Sequence, residues 1–249
     1  MTTTAPTRPA RRRTLRRFVP PQHGAWAMLL LPYLAGLLNA GFRRPDLPLL
    51  GAWLGGYLLS YYLLQALKTR RIHRFRAPIT LYAPVTAAFA VPVVAVRPQV
   101  LLFAPAFAGL IAVNAYHAWR RRERTLLNDL ASVAQSCLMV FVVATVAEVP
   151  PSRVAAAFTV VLLYLTGTVL YVKTMIRERD NETYRRASIA YHALALGAAT
   201  LLGPPAAALF ALLLARAWLL PRHHLKPKHV GLVEIAASTL VLAGSVLAG

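Results

Sequence analysis

The sequence has few carboxylates, almost no cysteine and few charged residues of any kind. Eight Asp and Glu stand against 28 Lys and Arg, and charged residues make up only 14% of the 249-residue chain. Because an ordinary soluble domain carries about 25% charged residues, this composition excludes such a fold. The single cysteine, Cys137, excludes an internal disulfide and a cysteine-based metal cage.

Apolar residues take the place of the missing charges. They make up 57% of the chain and fall in runs of a length that suits the hydrocarbon core of a bilayer. The basic residues lie in short clusters between these runs, so the formal charge of +20 indicates membrane topology and not a nucleic-acid partner. The sequence therefore predicts an all-α, polytopic membrane bundle.

Nine runs are predicted to cross the membrane within a single domain, residues 20–249. Residues 188–220 are assigned two crossings, because one helix of that length would be about 50 Å long against a core of about 30 Å. The turn is predicted at Gly203-Pro204-Pro205. Gly51 and Gly55, one turn apart, predict close helix packing. The runs are residues 23–42, 47–67, 79–96, 99–118, 129–149, 154–172, 188–202, 206–220 and 230–248.

The distribution of Lys and Arg predicts the orientation. Counted over alternate loops, 23 of these residues lie on one side and four on the other. The positive-inside rule then places the N-terminus in the cytoplasm and the C-terminus outside a cytoplasmic (inner) membrane. Residues 1–19 are predicted to form a disordered, basic cytoplasmic tail. Arg216 lies inside a run, and its charge is predicted to snorkel to the inner boundary.

Cations of the predicted inner loops are candidates for binding an anionic head group. The guanidinium of arginine presents a fork that suits phosphate and carboxylate oxygens. Ordinary topology and contact with anionic lipids explain the same charges, so both interpretations stay open. The candidate head-group residues are Arg70, Arg71, Arg74, Arg76, Arg121, Lys173 and Lys228.

Four titratable residues are candidates for proton transfer or catalysis, and no metal site is predicted. Asp180 lies where the sixth run ends in mixed charge, and Glu234 lies about one turn inside the ninth run, where a carboxylate needs a partner, a proton or a cation. His117 lies one turn from Asn114 near the predicted inner side, and His23 begins the first run. Helix capping or hydrogen bonds between helices account for the histidines equally well.

Three segments are similar to the YwiC-like family of bacterial integral membrane proteins. They are Gln22-His23-Gly24-Ala25-Trp26, Leu127-Asn128-Asp129-Leu130 and Lys226-Pro227-Lys228-His229-Val230-Gly231-Leu232-Val233-Glu234. Together they span nearly the whole chain. The family has no assigned activity, so this resemblance implies a membrane protein and no particular reaction.

The predicted architecture also resembles, more distantly, the UbiA superfamily of intramembrane prenyltransferases. Tyr116 followed by Arg120-Arg121-Arg122 is similar to a segment between that superfamily's fourth and fifth helices, and Asp180 falls where its second Asp-rich motif would lie. The resemblance implies a membrane transferase for an isoprenoid- or quinone-like lipid. UbiA enzymes bind Mg²⁺ through a first Asp-rich motif, but residues 57–68 contain no carboxylate. Mg²⁺ is therefore disfavoured, and the cofactor is left open.

Three functions thus remain open from the sequence, as does the oligomeric state. The first is an inward-opening protein that binds or modifies an amphiphilic lipid. The second is a small proton-coupled transporter in which Glu234, Asp180 and His117 form the coupling path. The third is a non-catalytic assembly factor or lipid-binding scaffold.

Overall fold

A computed structural model describes residues 18–20, 23–223 and 225–247, in which the regular structure is entirely helical. Residues 1–17 of the predicted tail, and the side chain of His23, lie outside the described part. The helices are α1 (His23–Ala40), α2 (Asp46–Thr69), α3 (Ile72–Val96), α4 (Ala104–Trp119), α5 (Leu126–Cys137), α6 (Met139–Val146), α7 (Pro151–Ile176), α8 (Glu182–Thr200), α9 (Pro204–Leu219) and α10 (Pro227–Leu247).

Seven helical segments are long and apolar enough to cross a membrane. One of them joins α4 to the preceding 3-10 helix, Pro98–Phe103, and another joins α5 to α6, which only Leu138 separates. The described part of α1 is shorter, and α8 carries charged residues in its first turns. These segments confirm the predicted all-α membrane fold, and the helices coincide with the nine predicted runs.

Local signals set the boundary between α8 and α9. Gly203 adopts a φ of +103°, which a residue with a side chain rarely adopts, and Pro204 then begins α9. The predicted turn between the seventh and eighth runs is therefore confirmed. At the other end of α8, the Asn181 side chain accepts a hydrogen bond of 3.0 Å from the Tyr184 backbone N–H and caps the helix.

Loops at alternate ends of the helices contact one another. At one end Lys68 forms an ion pair of 2.8 Å with Glu123, and at the opposite end Arg97 forms one of 2.7 Å with Glu148. The first end carries the segments that the sequence assigns to the inner side. We call it the basic end, and it comprises residues 70–71, 120–125, 177–181 and 225–226.

Helix α7 lies at the centre of the bundle and packs against α1, α5, α6, α8 and α10. The α2–α3 hairpin packs more peripherally, and two glycines allow its close contact. A Cβ atom at Gly51 would lie 2.6 Å from the Phe89 ring, and one at Gly55 would lie 2.8 Å from Thr86 Oγ1. The predicted role of these glycines in helix packing is confirmed.

Candidate functional site

Four helices bury a group of polar side chains toward the basic end. Tyr164, Thr168 and Tyr171 follow one face of α7, because residues four and seven positions apart lie above one another on a helix. Helices α8, α9 and α10 complete the group. We call it the polar centre, and its members are Tyr164, Thr168, Tyr171, His192, Arg216, Glu234 and Ser238.

An ion pair between Arg216 and Glu234 occupies the middle of the polar centre. The Nη1 atom of Arg216 donates to Oε1 of Glu234, and the two side chains are only 7% and 14% exposed. The prediction that Arg216 snorkels to water is therefore wrong, because a carboxylate inside the bundle compensates its charge. Glu234 lies about one turn from the start of the predicted run at Val230, and because α10 already begins at Pro227 it lies about two turns inside the helix.

Hydroxyl groups satisfy the second carboxylate oxygen of Glu234. Thr168 Oγ1 donates to Oε2 over 2.9 Å, and Tyr164 Oη lies 3.2 Å from the same atom. Tyr164 Oη also lies 2.9 Å from Ser238 Oγ, where either hydroxyl can donate. Both oxygens of Glu234 thus have partners, and the hydroxyls can rearrange their protons around them.

The guanidinium of Arg216 is only partly used. Its Cζ atom lies 4.2 Å from the centroid of the Tyr171 ring, a cation–π contact. Its Nε and Nη2 atoms are buried and make no hydrogen bond to any described residue. These two atoms form one edge of the guanidinium, with parallel N–H bonds that suit two oxygens of a carboxylate or phosphate. The buried Tyr171 Oη and Ser188 Oγ likewise have no partner among the described residues.

His192 packs closely against α7 beside this pair. Its Nδ1 lies 2.7 Å from the backbone carbonyl oxygen of Ser188, one turn earlier in α8. Its Nε2 lies 3.0 Å from the place that a Cβ atom would take at Gly167. The glycine therefore lets the imidazole approach α7 next to Thr168.

A second buried ion pair lies nearer the basic end. Lys173 Nζ contacts Asp129 Oδ2 at 2.6 Å and donates to the backbone carbonyl oxygen of Arg124 over 2.9 Å. The side chains of Lys173 and Asp129 are 11% and 26% exposed. Lys173, a predicted head-group residue, thus joins α7 to the start of α5 close to the protein surface.

The structure does not bring the four predicted catalytic residues together. Only Glu234 lies in the polar centre. Asp180 is exposed between α7 and α8 and forms no ion pair with a described residue. His117 is buried in α4, and its Nδ1 lies 2.9 Å from the Val113 carbonyl oxygen of the same helix. The side chain of His23 lies outside the described residues.

The other predicted head-group residues are exposed at or next to the basic end. Arg121 also donates from Nε to the backbone carbonyl oxygen of Lys68 over 3.4 Å. These exposed residues are Arg70, Arg71, Arg74, Arg76, Arg121 and Lys228. At the same end, the hydrogen bond from Arg185 lowers the pKa of the exposed Glu182 to about 2, so this carboxylate remains charged at neutral pH.

Sequence reasoning missed most of the polar centre. Tyr164, Thr168 and His192 are common residue types whose spacing alone shows no site. One signal was available for Arg216: it is the only Lys or Arg within the nine runs, and Glu234 is the only Asp or Glu deep within one. Opposite charges that are both this rare in apolar runs are candidates for pairing.

The bundle of apolar helices, with its cations gathered at one end and its polar centre buried, defines a multi-pass integral membrane protein. A family model described as YwiC-like protein matches residues 19–144. This chain belongs to the YwiC-like family, as the sequence segments indicated. The family model ends before the polar centre begins.

Two relatives resemble the chain over most of its length. The uncharacterized protein YwiC of Bacillus subtilis (strain 168) is 32% identical over 231 residues, which cover 92% of this chain and 97% of that protein. An uncharacterized protein of Haemophilus influenzae is 31% identical over 226 residues, which cover 88% and 93% respectively. No solved structure matches the chain, so a UbiA-like helix arrangement stays a prediction.

Proposed function

We propose that this protein binds a lipid-like amphiphile whose anionic head group lies against Arg216. The observation that supports the proposal is the unpartnered Nε–Nη2 edge of that guanidinium. A buried donor without a partner costs about 1–3 kcal/mol, and a head group with two acceptor oxygens removes that cost at both nitrogens. The site would lie in the cytoplasmic membrane with the basic end facing the cytoplasm, as the positive-inside rule implies.

The surroundings of the site favour an amphiphile over a small soluble anion. Helix α10 carries Glu234 on its inner face, whereas Leu232 and Ile235 beside it are 55% and 62% exposed. In a membrane such exposed apolar side chains contact lipid, so on this side the polar centre is one helix away from the acyl chains. The exposed arginines of the basic end attract anionic head groups toward the same end of the bundle. We propose an isoprenoid- or quinone-like lipid as the ligand class.

Lipids that copurify with the protein test this function. Mass spectrometry of organic extracts should show an amphiphile enriched on the wild type and lost from the double variant Arg216→Gln, Glu234→Gln. Removing both charges together avoids an uncompensated buried ion, so the variant should remain folded. The double variant Lys173→Met, Asp129→Asn removes the other buried pair. It should retain the lipid. Identical lipid profiles in all three proteins would contradict the proposal.

A proton-coupled carrier is a second candidate function. The ring of hydroxyls around Glu234 supports it, because Thr168, Tyr164 and Ser238 can hold that carboxyl group with or without a proton. The coupling path would then run through the polar centre and not through Asp180 or His117. Asp180 is exposed at the basic end, and the imidazole of His117 contacts a backbone carbonyl of its own helix, α4. Glu234→Gln should abolish solute uptake driven by a pH gradient, measured on the part of the variant protein that remains folded. Unchanged uptake would exclude this role.

A further inference from the structure

The polar centre also limits the charge of its ligand, if the proposed function holds. We infer that a head group with a single negative charge binds at the Nε–Nη2 edge of Arg216 together with one proton, which the carboxylate of Glu234 takes up. The ligand class is therefore a monoanionic amphiphile, and its binding depends on pH.

The argument begins with the charge balance of the site. The ion pair contributes one positive and one negative charge. With an uncharged imidazole at His192, the described polar centre therefore has no net charge. A bound anion would leave one uncompensated negative charge among apolar helices, where desolvation makes it costly. One proton at Glu234 restores neutrality, with the anion then paired to Arg216. A head group with two charges would still leave one uncompensated.

The groups that face Glu234 single it out as the proton acceptor. From α7 it meets the hydroxyls of Tyr164 and Thr168, and from α9 it meets Arg216. His192 of α8 lies near the Arg216 guanidinium, whose charge opposes a second positive charge on the imidazole. The described side chains of α1, which also packs against α10, carry no charge.

The hydroxyls around Glu234 can hold both of its protonation states. In the ionised state Thr168 and Tyr164 donate toward Oε2. After protonation, Oε2–H can donate to Tyr164 Oη, whose own proton then turns to Ser238 Oγ at 2.9 Å. The step forms one O–H bond with a proton from the aqueous phase and releases the ionic contact with Arg216 Nη1. No bond to carbon changes.

The test measures protons taken up when a probe with a fixed charge binds. Full-length protein in nanodiscs is titrated with hexadecanesulfonate, whose head group does not titrate near neutral pH. The heat of binding is measured in buffers of different ionisation enthalpy, because its dependence on the buffer gives the number of protons taken up. The wild type should take up about one proton per bound molecule, and its affinity should fall about tenfold per pH unit as pH rises. Glu234→Gln should bind the probe without proton uptake and with little pH dependence. Glu182→Gln removes an exposed carboxylate next to the basic end and should behave as the wild type.

The outcomes separate this inference from the proposed function. If Arg216→Gln weakens binding but the wild type takes up no proton, the coupling between binding and protonation is overturned. The proposed function is then retained. Proton uptake that persists in Glu234→Gln places the proton on another group and overturns the assignment. Proton uptake with the uncharged hexadecanol would overturn it as well. No binding, or binding indifferent to Arg216→Gln, overturns the function and the inference together.

Discussion

Lys173 and Arg216 are both buried cations with a carboxylate partner, yet their remaining hydrogen-bond donors differ. The ammonium of Lys173 contacts Asp129 and also donates to the Arg124 carbonyl. Among the described residues, the guanidinium of Arg216 donates a hydrogen bond only to Glu234, and its Nε–Nη2 edge has no hydrogen-bond partner. The two pairs lie close together, since Thr168 and Lys173 are about 7.5 Å apart along α7.

This difference distinguishes a structural ion pair from the proposed binding site. Lys173 joins two helices to a loop near the surface, where the compact ammonium needs few partners. The planar guanidinium of Arg216 has five donors in a fixed geometry, and the surrounding helices satisfy only some of them. A buried cation whose donors are only partly satisfied is costly unless a further group binds to it, which is why we place the proposed ligand at Arg216.

The largest loss of stability is expected when Arg216 loses its charge. Arg216→Leu leaves the carboxylate of Glu234 buried without its cation, so we expect the free energy of unfolding to fall by about 3 kcal/mol or more. Unfolding in mixed micelles by titration with a denaturing detergent measures it. Arg222→Leu removes an exposed arginine just beyond α9 and should change stability by about 0.5 kcal/mol at most. Equal losses of stability in Arg216→Leu and Arg222→Leu would contradict the special role of the buried ion pair.

A smaller loss is expected at the Lys173 pair. Lys173→Met keeps the length of the side chain and removes its charge, while Asp129 retains contact with solvent. We expect a loss of about 1–2 kcal/mol in the same unfolding measurement, because a partly hydrated carboxylate tolerates the missing partner better than a buried one. Lipid copurification should stay at the wild-type level. A loss of lipid would show that both cations take part in binding.

The smallest effect concerns single hydroxyls on α7. Thr168→Val removes a hydrogen bond to Glu234 and should lower stability by about 1 kcal/mol or slightly more, because its acceptor is charged. Thr174→Val, six residues further on, removes only a bond to the Leu170 carbonyl of the same helix. That variant should change stability by less than about 0.5 kcal/mol. Similar values would mean that Thr168 adds nothing specific to the polar centre.

Much of the fold was predictable because its signals are local in the chain. Apolar runs of membrane length give the helices, and Gly203 followed by Pro204 ends one helix and starts the next. Glu234 was predictable as a candidate for a related reason: a carboxylate deep in an apolar run needs a partner wherever that helix lies. The identity of the partner was not predictable in this way.

The errors and omissions share one physical cause. Arg216 lies within four residues of the end of α9, a position from which its charge could reach water, but the rotation of α9 turns it toward Glu234. The rotation of α7 likewise turns Tyr164 and Thr168 inward, whereas Asp180 lies in the turn between α7 and α8, outside the bundle. Helix rotation depends on the packing of all faces at once, which sequence spacing does not specify.

The sequence by itself determined that this chain is a membrane bundle with its cations on alternate loops, since apolar length and charge position act segment by segment. It also marked Glu234 as a carboxylate that needs a partner. Only the tertiary structure decided that Arg216 is that partner and that part of its guanidinium stays unused. Hydrogen bonds between side chains 18 or 66 residues apart, such as those that reach Glu234 from Arg216 and Thr168, exist only after α7, α9 and α10 have packed together.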